Sequence, residues 1–284
     1  MIKREIQNSI LADFKRKKVI VLLGARQVGK TTLLLSLQSD KERVLSLNCD
    51  NIDDRLLLEA RTSTELKYLL SSYDMAFIDE AQRVKNIGLT LKMIGDLKLD
   101  TQIVVTGSSS FDMANEINEP ATGRLIEYNL YPFSLAELAA DTSEREEKRL
   151  LENRLIYGLY PEVVTEPADA KRTLMSLTNN YLYKDLFSYK GLKKPDVIQK
   201  LVRALALQLG SEVSYNELSN LLGIDKETVE NYICLLEKCF VVFRLDSFSR
   251  NLRNEIKKGK KIYFYDNGIR NAVISNFAPL ELRT

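Results

Sequence analysis

Residues 24–31 read Gly-Ala-Arg-Gln-Val-Gly-Lys-Thr and directly follow an apolar run, Val19–Leu23. A helical pattern begins near Lys30, so the motif lies between a predicted buried strand and a predicted helix. The spacing is that of a P-loop, G-x-x-x-x-G-K-[ST]. The glycines of such a loop let backbone N–H groups and the helix N-terminus point at phosphate oxygens. We therefore predict a phosphate-binding loop at this position.

The chemistry of a P-loop gives its residues individual roles. Lys30 is expected to reach the β- and γ-phosphates, and the hydroxyl of Thr31 is expected to hold Mg²⁺. The predicted nucleotide-binding residues are Gly24, Ala25, Arg26, Gln27, Val28, Gly29, Lys30, Thr31 and Thr32. The sequence has no [NT]KxD guanine-reading motif, so elimination alone favours ATP over GTP.

Short β-branched runs alternate with helical patterns on both sides of this loop, which is typical of a parallel sheet with crossover helices. The predicted strands are 19–23, 44–47, 75–78, 103–106 and 125–130, and the predicted helices are 30–38, 64–72 and 88–98. Most of these strands are apolar throughout, as expected for strands buried on both faces. The predicted fold class is an α/β P-loop NTPase.

Two carboxylates, Asp79 and Glu80, follow the predicted strand 75–78. The C-terminal tip of a parallel strand emerges beside the P-loop, so Asp79 is predicted to bind Mg²⁺ together with Thr31, directly or through water. Glu80 is predicted to polarise the attacking water. An acid pair at a strand end is also common as a solvated end; the preceding P-loop and the intervening strand favour the metal site.

Two further positions are candidates for contact with the γ-phosphate. Ser108, with Thr106 second, follows the strand 103–106 in Thr-Gly-Ser-Ser-Ser, where an ordinary turn is the alternative. Arg124 follows Thr122-Gly123 and is predicted to stabilise charge in phosphoryl transfer, from its own chain or from a neighbouring subunit; a surface arginine is the alternative. The predicted catalytic residues are thus Glu80, Ser108 and Arg124.

The second half of the chain is predicted to be mainly helical. A charge-rich stretch, 143–154, predicts one solvated helix, and Pro195 is placed to open another. Ser214 and Glu217 predict a capping box, Asp225 caps a further helix, and 240–248 and 261–266 predict a hairpin, which together are typical of a winged helix. The predicted domains are 1–138 (P-loop core), 139–194 (helical lid) and 195–284 (winged helix).

The 284 residues carry 41 Lys plus Arg and 39 Asp plus Glu, but the charge is uneven. The predicted hairpin loop, 250–261, contains Arg250, Arg253, Lys257, Lys258, Lys260 and Lys261. These residues are candidates for contact with DNA phosphates or with a protein partner. Glu227, Glu230 and Glu237 on the predicted recognition helix would repel phosphates, so base-specific recognition is disfavoured. A solvated hairpin of mixed charge is the third interpretation.

Composition excludes several function classes. The chain has no histidine, which excludes Ser-His-Asp catalysis and His-ligated zinc. Its three cysteines show no CxxC spacing, so neither a disulfide framework nor a cysteine-only metal site is predicted. The longest charge-free stretches have eleven residues, against about twenty for a membrane span, and the N-terminus is too charged for a signal peptide. A cytoplasmic location is expected.

The ordered set GARQVGKTT (24–32), DEAQ (79–82), VVTGSSS (104–110) and TGR (122–124) resembles the prokaryotic AAA-type ATP-binding proteins with a C-terminal domain of unknown function. The likeness continues through GLYPEVV (158–164) and YFYDNG (263–268). The resemblance implies an AAA/ASCE-like core, a helical lid and a winged helix, and it strengthens Arg124 as an arginine finger. Family members usually continue into a restriction-endonuclease-like domain, which is expected to be missing here, so no nuclease activity is carried over.

The sequence therefore predicts a Mg²⁺-dependent ATPase that acts as a nucleotide-driven switch, turns over slowly without a partner, and forms a homo-oligomer if Arg124 acts in trans. A helicase is a weaker alternative, because the region after 135 lacks a second RecA-like domain with an arginine-rich motif. The non-enzymatic alternative is a DNA- or protein-binding winged-helix module in which ATP is a structural or regulatory ligand with little turnover.

Overall fold

The computed structural model describes residues 1–38, 43–108, 123–182, 186, 194–246 and 260–283. The chain forms two compact units, Met1–Tyr131 and Pro132–Thr284. The first predicted domain boundary, at 138, lies a few residues beyond this division. The three-part division into core, lid and winged helix stays a prediction.

The first unit is built on a five-stranded sheet with the order β2-β3-β4-β1-β5, and its neighbouring strands pair in parallel. Its strands are β1 (Val19–Leu23), β2 (Val44–Asn48), β3 (Met75–Asp79), β4 (Gln102–Gly107) and β5 (Leu125–Asn129). β4 lies between β1 and β3, so one strand separates the strand that enters the P-loop from the strand that ends in Asp79. The predicted α/β P-loop NTPase fold is confirmed.

The described residues of this unit form five helices beside the sheet: α1 (Ile6–Asp13), α2 (Lys30–Leu37), α3 (Ile52–Leu56), α4 (Ser63–Leu70) and α5 (Ile87–Leu97). A reciprocal capping box between Thr62 and Glu65 starts α4. α5 buries Ile87, Leu91 and Ile94, which recur at helical spacing on one face. β1 and β4 are buried along their whole length, which explains why their sequences do not alternate between apolar and polar residues.

The second unit is mainly helical. Its helices are α6 (Leu135–Asp141), α7 (Glu144–Arg149), α8 (Leu151–Tyr157), α9 (Pro161–Thr165), α10 (Ala170–Ser176), α11 (Pro195–Leu207), α12 (Tyr215–Leu222), α13 (Lys226–Lys238) and α14 (Asn267–Val273). No helix of the described ranges is long and apolar enough to cross a membrane.

The prediction of one helix over 143–154 is wrong, because α7 ends at Arg149 and α8 starts at Leu151, with Leu150 as the cap residue between them. The Arg154 guanidinium donates twice to the Glu147 carboxylate, at 3.0 Å each, and both side chains are nearly buried. Seven residues span about 10 Å along an uninterrupted helix. The break between the helices brings this buried ion pair together.

Three strands of the second unit form an antiparallel sheet with the order β6-β8-β7, comprising β6 (Glu212–Val213), β7 (Val242–Leu245) and β8 (Lys260–Phe264). Ser214 accepts from the Glu217 N–H as predicted, but the Glu217 carboxylate accepts from Gln208 in place of closing the capping box. Asp225 caps α13 through the Thr228 N–H at 2.7 Å. The predicted order of two helices and a hairpin is present, and its assignment as a winged helix stays a prediction.

Asp266, predicted at the end of the last strand, is the N-cap of α14. Its two carboxylate oxygens accept from the N–H groups of Ile269 (3.0 Å) and Leu159 (2.7 Å). A Cβ at Gly158 would lie 2.1 Å from the carboxylate, so only glycine allows this close approach. The motifs around 158 and 266, far apart in sequence, therefore pack on each other inside the second unit.

Candidate functional site

The loop between β1 and α2 has the backbone of a tight, glycine-dependent turn. Gln27 and Gly29 adopt left-handed conformations with φ of 62° and 93°. A Cβ at Gly24 would lie 2.2 Å from the backbone oxygen of Leu130, directly after β5. Gly24 is thus required by a close approach and Gly29 by its backbone conformation. The Val28 side chain is fully buried, so only its backbone can serve a ligand.

Lys30 lies inside this loop. Its side chain is buried, with the residue 5% exposed, and Nζ donates to the backbone oxygens of Gly24 and Ala25 at 2.9 Å each. Neutral carbonyls are weaker partners for an ammonium group than anionic oxygens are. The arrangement therefore places a cation where a phosphate can replace the loop carbonyls as its partner.

One carboxylate joins the P-loop to two strands. Asp79 Oδ2 accepts from Thr31 Oγ1 at 2.8 Å, and Asp79 Oδ1 accepts from the Thr106 hydroxyl and from the Glu80 N–H. Thr31 lies at the start of α2, Asp79 ends β3 and Thr106 lies near the end of β4. The structure thus brings together both predicted metal ligands and one of the predicted phosphate-sensing candidates.

The donor set at this point fits Mg²⁺. Mg²⁺ takes oxygen ligands, is bound in nucleotide sites by one or two carboxylates plus phosphates, and keeps several waters. Asp79 and Thr31 supply a carboxylate and a hydroxyl oxygen 2.8 Å apart. Among the residues that the structure describes, no group of three His, Cys, Asp or Glu side chains could hold a metal. Phosphate oxygens and water would complete the coordination.

Glu80 and Ser108 meet through a residue that the sequence did not single out. Gln82 Nε2 donates to Glu80 Oε2 at 2.5 Å and to Ser108 Oγ at 2.9 Å. Glu80 is left-handed, with φ of 53°, a conformation that costs free energy in a non-glycine residue and recurs at functional sites. The sequence signal that could have identified Gln82 is its position in DEAQ, two residues after Glu80.

Arg4 is a second residue that sequence reasoning missed. It is 7% exposed, Nη1 donates to the backbone oxygen of Val28 at 3.0 Å, and Nη2 donates to the backbone oxygen of Tyr131. One side chain thus ties the P-loop to the last residue of the first unit. Nothing in the local sequence near Arg4 marks this contact, because both partners are backbone atoms of distant segments.

The structure does not bring Arg124 to the P-loop of its own chain. Leu125 pairs with Val19 at the start of β1, whereas the P-loop follows Leu23 at the other end of that strand. At about 3.3 Å per residue, the two sites lie roughly 15 Å apart along the sheet. The Arg124 guanidinium pairs instead with Asp96. A role of Arg124 at the site of a neighbouring subunit stays a prediction.

Most of the predicted basic loop lies outside the described residues, including Arg250, Arg253, Lys257 and Lys258. Lys260 is described, and its Nζ lies 3.2 Å from the Asp246 carboxylate. Arg244 on β7 forms an ion pair with Glu237 of α13, and this pair raises the pKa of the guanidinium above its ordinary range. The described part of the hairpin thus contains paired charges, and contact with nucleic acid stays a prediction.

Comparison with known families gives two matches that follow one another along the chain. Residues 16–139 match a family described as an AAA domain, and residues 148–280 match a domain of unknown function, DUF8612. The first match contains the P-loop, Asp79, Glu80 and Ser108, so it covers the site described above.

Two relatives are similar over almost the whole chain. An uncharacterized protein of Haemophilus influenzae is 27% identical over 298 residues, which cover 96% of this chain and 74% of that protein. An uncharacterized protein of Methanocaldococcus jannaschii is 25% identical, with 96% of this chain and 65% of that protein covered. Both relatives extend beyond the matched region.

Among solved structures, a Walker-type ATPase of Pyrococcus abyssi is similar to this chain with a TM-score of 0.62. The match covers 96% of both chains at 18% sequence identity. At this identity the likeness concerns the fold alone.

Proposed function

We propose that this chain, an AAA-type P-loop protein with a DUF8612 domain, binds ATP with Mg²⁺ and hydrolyses it to ADP and phosphate. The observation that carries the proposal is the contact of Thr31 with Asp79 at 2.8 Å, next to a Lys30 ammonium held inside the loop. In P-loop NTPases, Mg²⁺ is held for phosphoryl transfer by a strand-end carboxylate and a P-loop hydroxyl.

In this proposal each side chain has one task. The loop N–H groups and Lys30 bind the phosphates, and Thr31 and Asp79 hold Mg²⁺, which would neutralise charge on the phosphate oxygens. Glu80 accepts a hydrogen bond from the attacking water and takes its proton as the oxygen bonds to the γ-phosphorus. The bond from the γ-phosphorus to the bridging oxygen breaks, and ADP leaves. Ser108 contacts the γ-phosphate, so that catalysis rests on positioning and electrostatics.

The proposal extends to a nucleotide-driven switch. Arg4 supports it, since its guanidinium links Val28 in the P-loop to Tyr131, after which the second unit begins. A movement of the loop on nucleotide binding would therefore change the position of Tyr131 through Arg4. A cytoplasmic location, slow turnover without a partner and an oligomer that uses Arg124 in trans belong to the same proposal.

Phosphate release from MgATP tests the catalytic assignment. Glu80→Gln removes the proton acceptor and keeps the shape of the side chain, so ATP binding should persist while turnover falls at least about 100-fold. Glu144→Gln makes the same chemical change on the exposed face of α7 and should leave turnover unchanged. Wild-type turnover in the Glu80→Gln protein would refute the role of Glu80.

The alternative, in which ATP is a structural or regulatory ligand, predicts ATP binding with little turnover in the wild-type protein. Turnover should therefore be measured across protein concentration, with and without DNA. A rise with concentration would support an assembly, and a rise with DNA would support a nucleic-acid partner. A steep decrease of DNA affinity with salt would support phosphate contacts, whereas no binding at low salt would remove the DNA proposal.

A further inference from the structure

The contacts of Gln82 link two parts of the site that are separate in sequence. Gln82 lies in the short 3-10 turn Ala81–Arg83, directly after Glu80 at the end of β3. Ser108 directly follows β4 and is 5% exposed. The Gln82 amide nitrogen has two N–H groups, and it donates to Glu80 at 2.5 Å and to Ser108 at 2.9 Å.

The orientation of this amide follows from its surroundings. Turning the amide over would place its oxygen against the Glu80 carboxylate, and two acceptors would then repel each other. In the observed orientation, Gln82 Oε1 is buried and has no hydrogen-bond partner among the described residues. A buried acceptor without a partner carries a free-energy cost, and such groups call for a functional explanation.

We propose that Gln82 is a positioning residue that couples contact with the γ-phosphate at Ser108 to the orientation of the Glu80 carboxylate. This inference rests on the proposed ATPase function. The Ser108 oxygen accepts from Gln82, so its own O–H can donate to a phosphate oxygen. Both hydrogen bonds come from one amide nitrogen, so a phosphate that fixes the position of Ser108 also fixes the amide and the donor that holds Glu80.

Turnover of Gln82 variants tests this coupling. Gln82→Met keeps the length of the side chain and removes both N–H donors. We expect kcat to fall about 10- to 100-fold, with KM for ATP within about 3-fold of wild type, since the loss acts on the transition state. Gln82→Ala should give a similar fall. Gln208→Ala is the matched control, since Gln208 also donates to a glutamate, Glu217, and also has a buried Oε1 without a partner.

A double-mutant cycle with Ser108→Ala separates coupling from local structure. If Gln82 acts through Ser108, the double variant should be about as slow as the slower single variant. If the fold losses in kcat of the two single variants multiply in the double variant, the coupling is contradicted, even if each single variant is slow. A wild-type kcat in Gln82→Met, or a loss of ATP affinity at unchanged kcat, would overturn the positioning role.

The outcome for Gln82 can be told apart from the outcome for the ATPase itself. If wild type turns over and Glu80→Gln does not, normal turnover in Gln82→Met refutes only the present inference. If wild type binds nucleotide without turnover, the ATPase proposal fails. The coupling is then decided by the affinity ratio of a non-hydrolysable ATP analogue to ADP, which should fall about 2- to 3-fold in Gln82→Met. An unchanged ratio would overturn it.

Discussion

Substitution of Gly24 by alanine should disturb the fold and the P-loop together. The added Cβ would lie 2.2 Å from the Leu130 backbone oxygen and 3.2 Å from a methyl carbon of Val28. Gly24 is not among the left-handed glycines, so the substitution brings a steric clash and no backbone strain. Relief of the clash needs a movement of about 1 Å, because such contacts normally stay above about 3 Å.

The loop is the part that should move. Leu130 is 2% exposed, and its N–H donates to Leu23 at 2.7 Å, which holds its backbone against β1. Overpacking of this kind costs about 1–3 kcal/mol of stability. A displaced loop also loses at least one charge-assisted hydrogen bond to phosphate, worth about 1.5–3 kcal/mol. ATP affinity should therefore fall at least about 10-fold, which corresponds to about 1.4 kcal/mol.

Urea unfolding followed by far-UV circular dichroism measures the first effect, and titration calorimetry with MgATP measures the second. Gly210→Ala provides the control, because Gly210 has φ of +80° with no atom within 4 Å of an added Cβ. It should lose about 1 kcal/mol from backbone strain in the second unit and keep its ATP affinity. Wild-type stability and ATP affinity in Gly24→Ala would refute the steric argument.

Two further predictions concern the second unit. Burial raises the pKa of Asp266 to about 6 against hydrogen bonds from three N–H groups that lower it, so the folded state binds more protons than the unfolded state between about pH 4 and pH 6. The free energy of unfolding should therefore fall by about 3 kcal/mol as pH rises through that window. Urea unfolding of Asp266→Asn should lack this decline. Parallel pH curves for the two proteins would contradict the role of Asp266. Glu147→Ala leaves Arg154 buried without its carboxylate and should cost about 3–5 kcal/mol in the same assay, whereas Glu146→Ala breaks an exposed pair and should cost less than about 1 kcal/mol; equal losses would refute the importance of burial.

The sheet and the P-loop could be predicted because their signals are local. The strand 19–23 and the loop that follows it are specified by consecutive residues, and the acid after strand 75–78 must emerge at the same edge as the loop. The contact of Thr31 with Asp79 is then a consequence of the parallel topology. This part of the site required no information beyond the order and type of residues.

The missed features depend on contacts between distant segments. Arg4 donates to backbone oxygens of Val28 and Tyr131, and no side-chain pattern can reveal a backbone partner. The break at Leu150 accompanies the buried pair of Glu147 and Arg154, whereas the charges alone predicted one continuous helix. The sequence motif identified Arg124, but it did not give the register of the strand that follows. The pairing of Leu125 with Val19 shows which end of the sheet Arg124 occupies.

Titration of MgATP into the wild-type protein and into Lys30→Ala tests the central claim most directly. Among the described lysines, Lys30 is the one whose ammonium group lies inside the P-loop. Its substitution by alanine removes the positive charge that would face the phosphates. We expect one binding event per chain in wild type, no measurable binding in Lys30→Ala, and wild-type binding in Lys67→Ala, which removes an exposed lysine of α4. No heat with wild type, or equal binding by the Lys30→Ala protein, would contradict a nucleotide site at this loop.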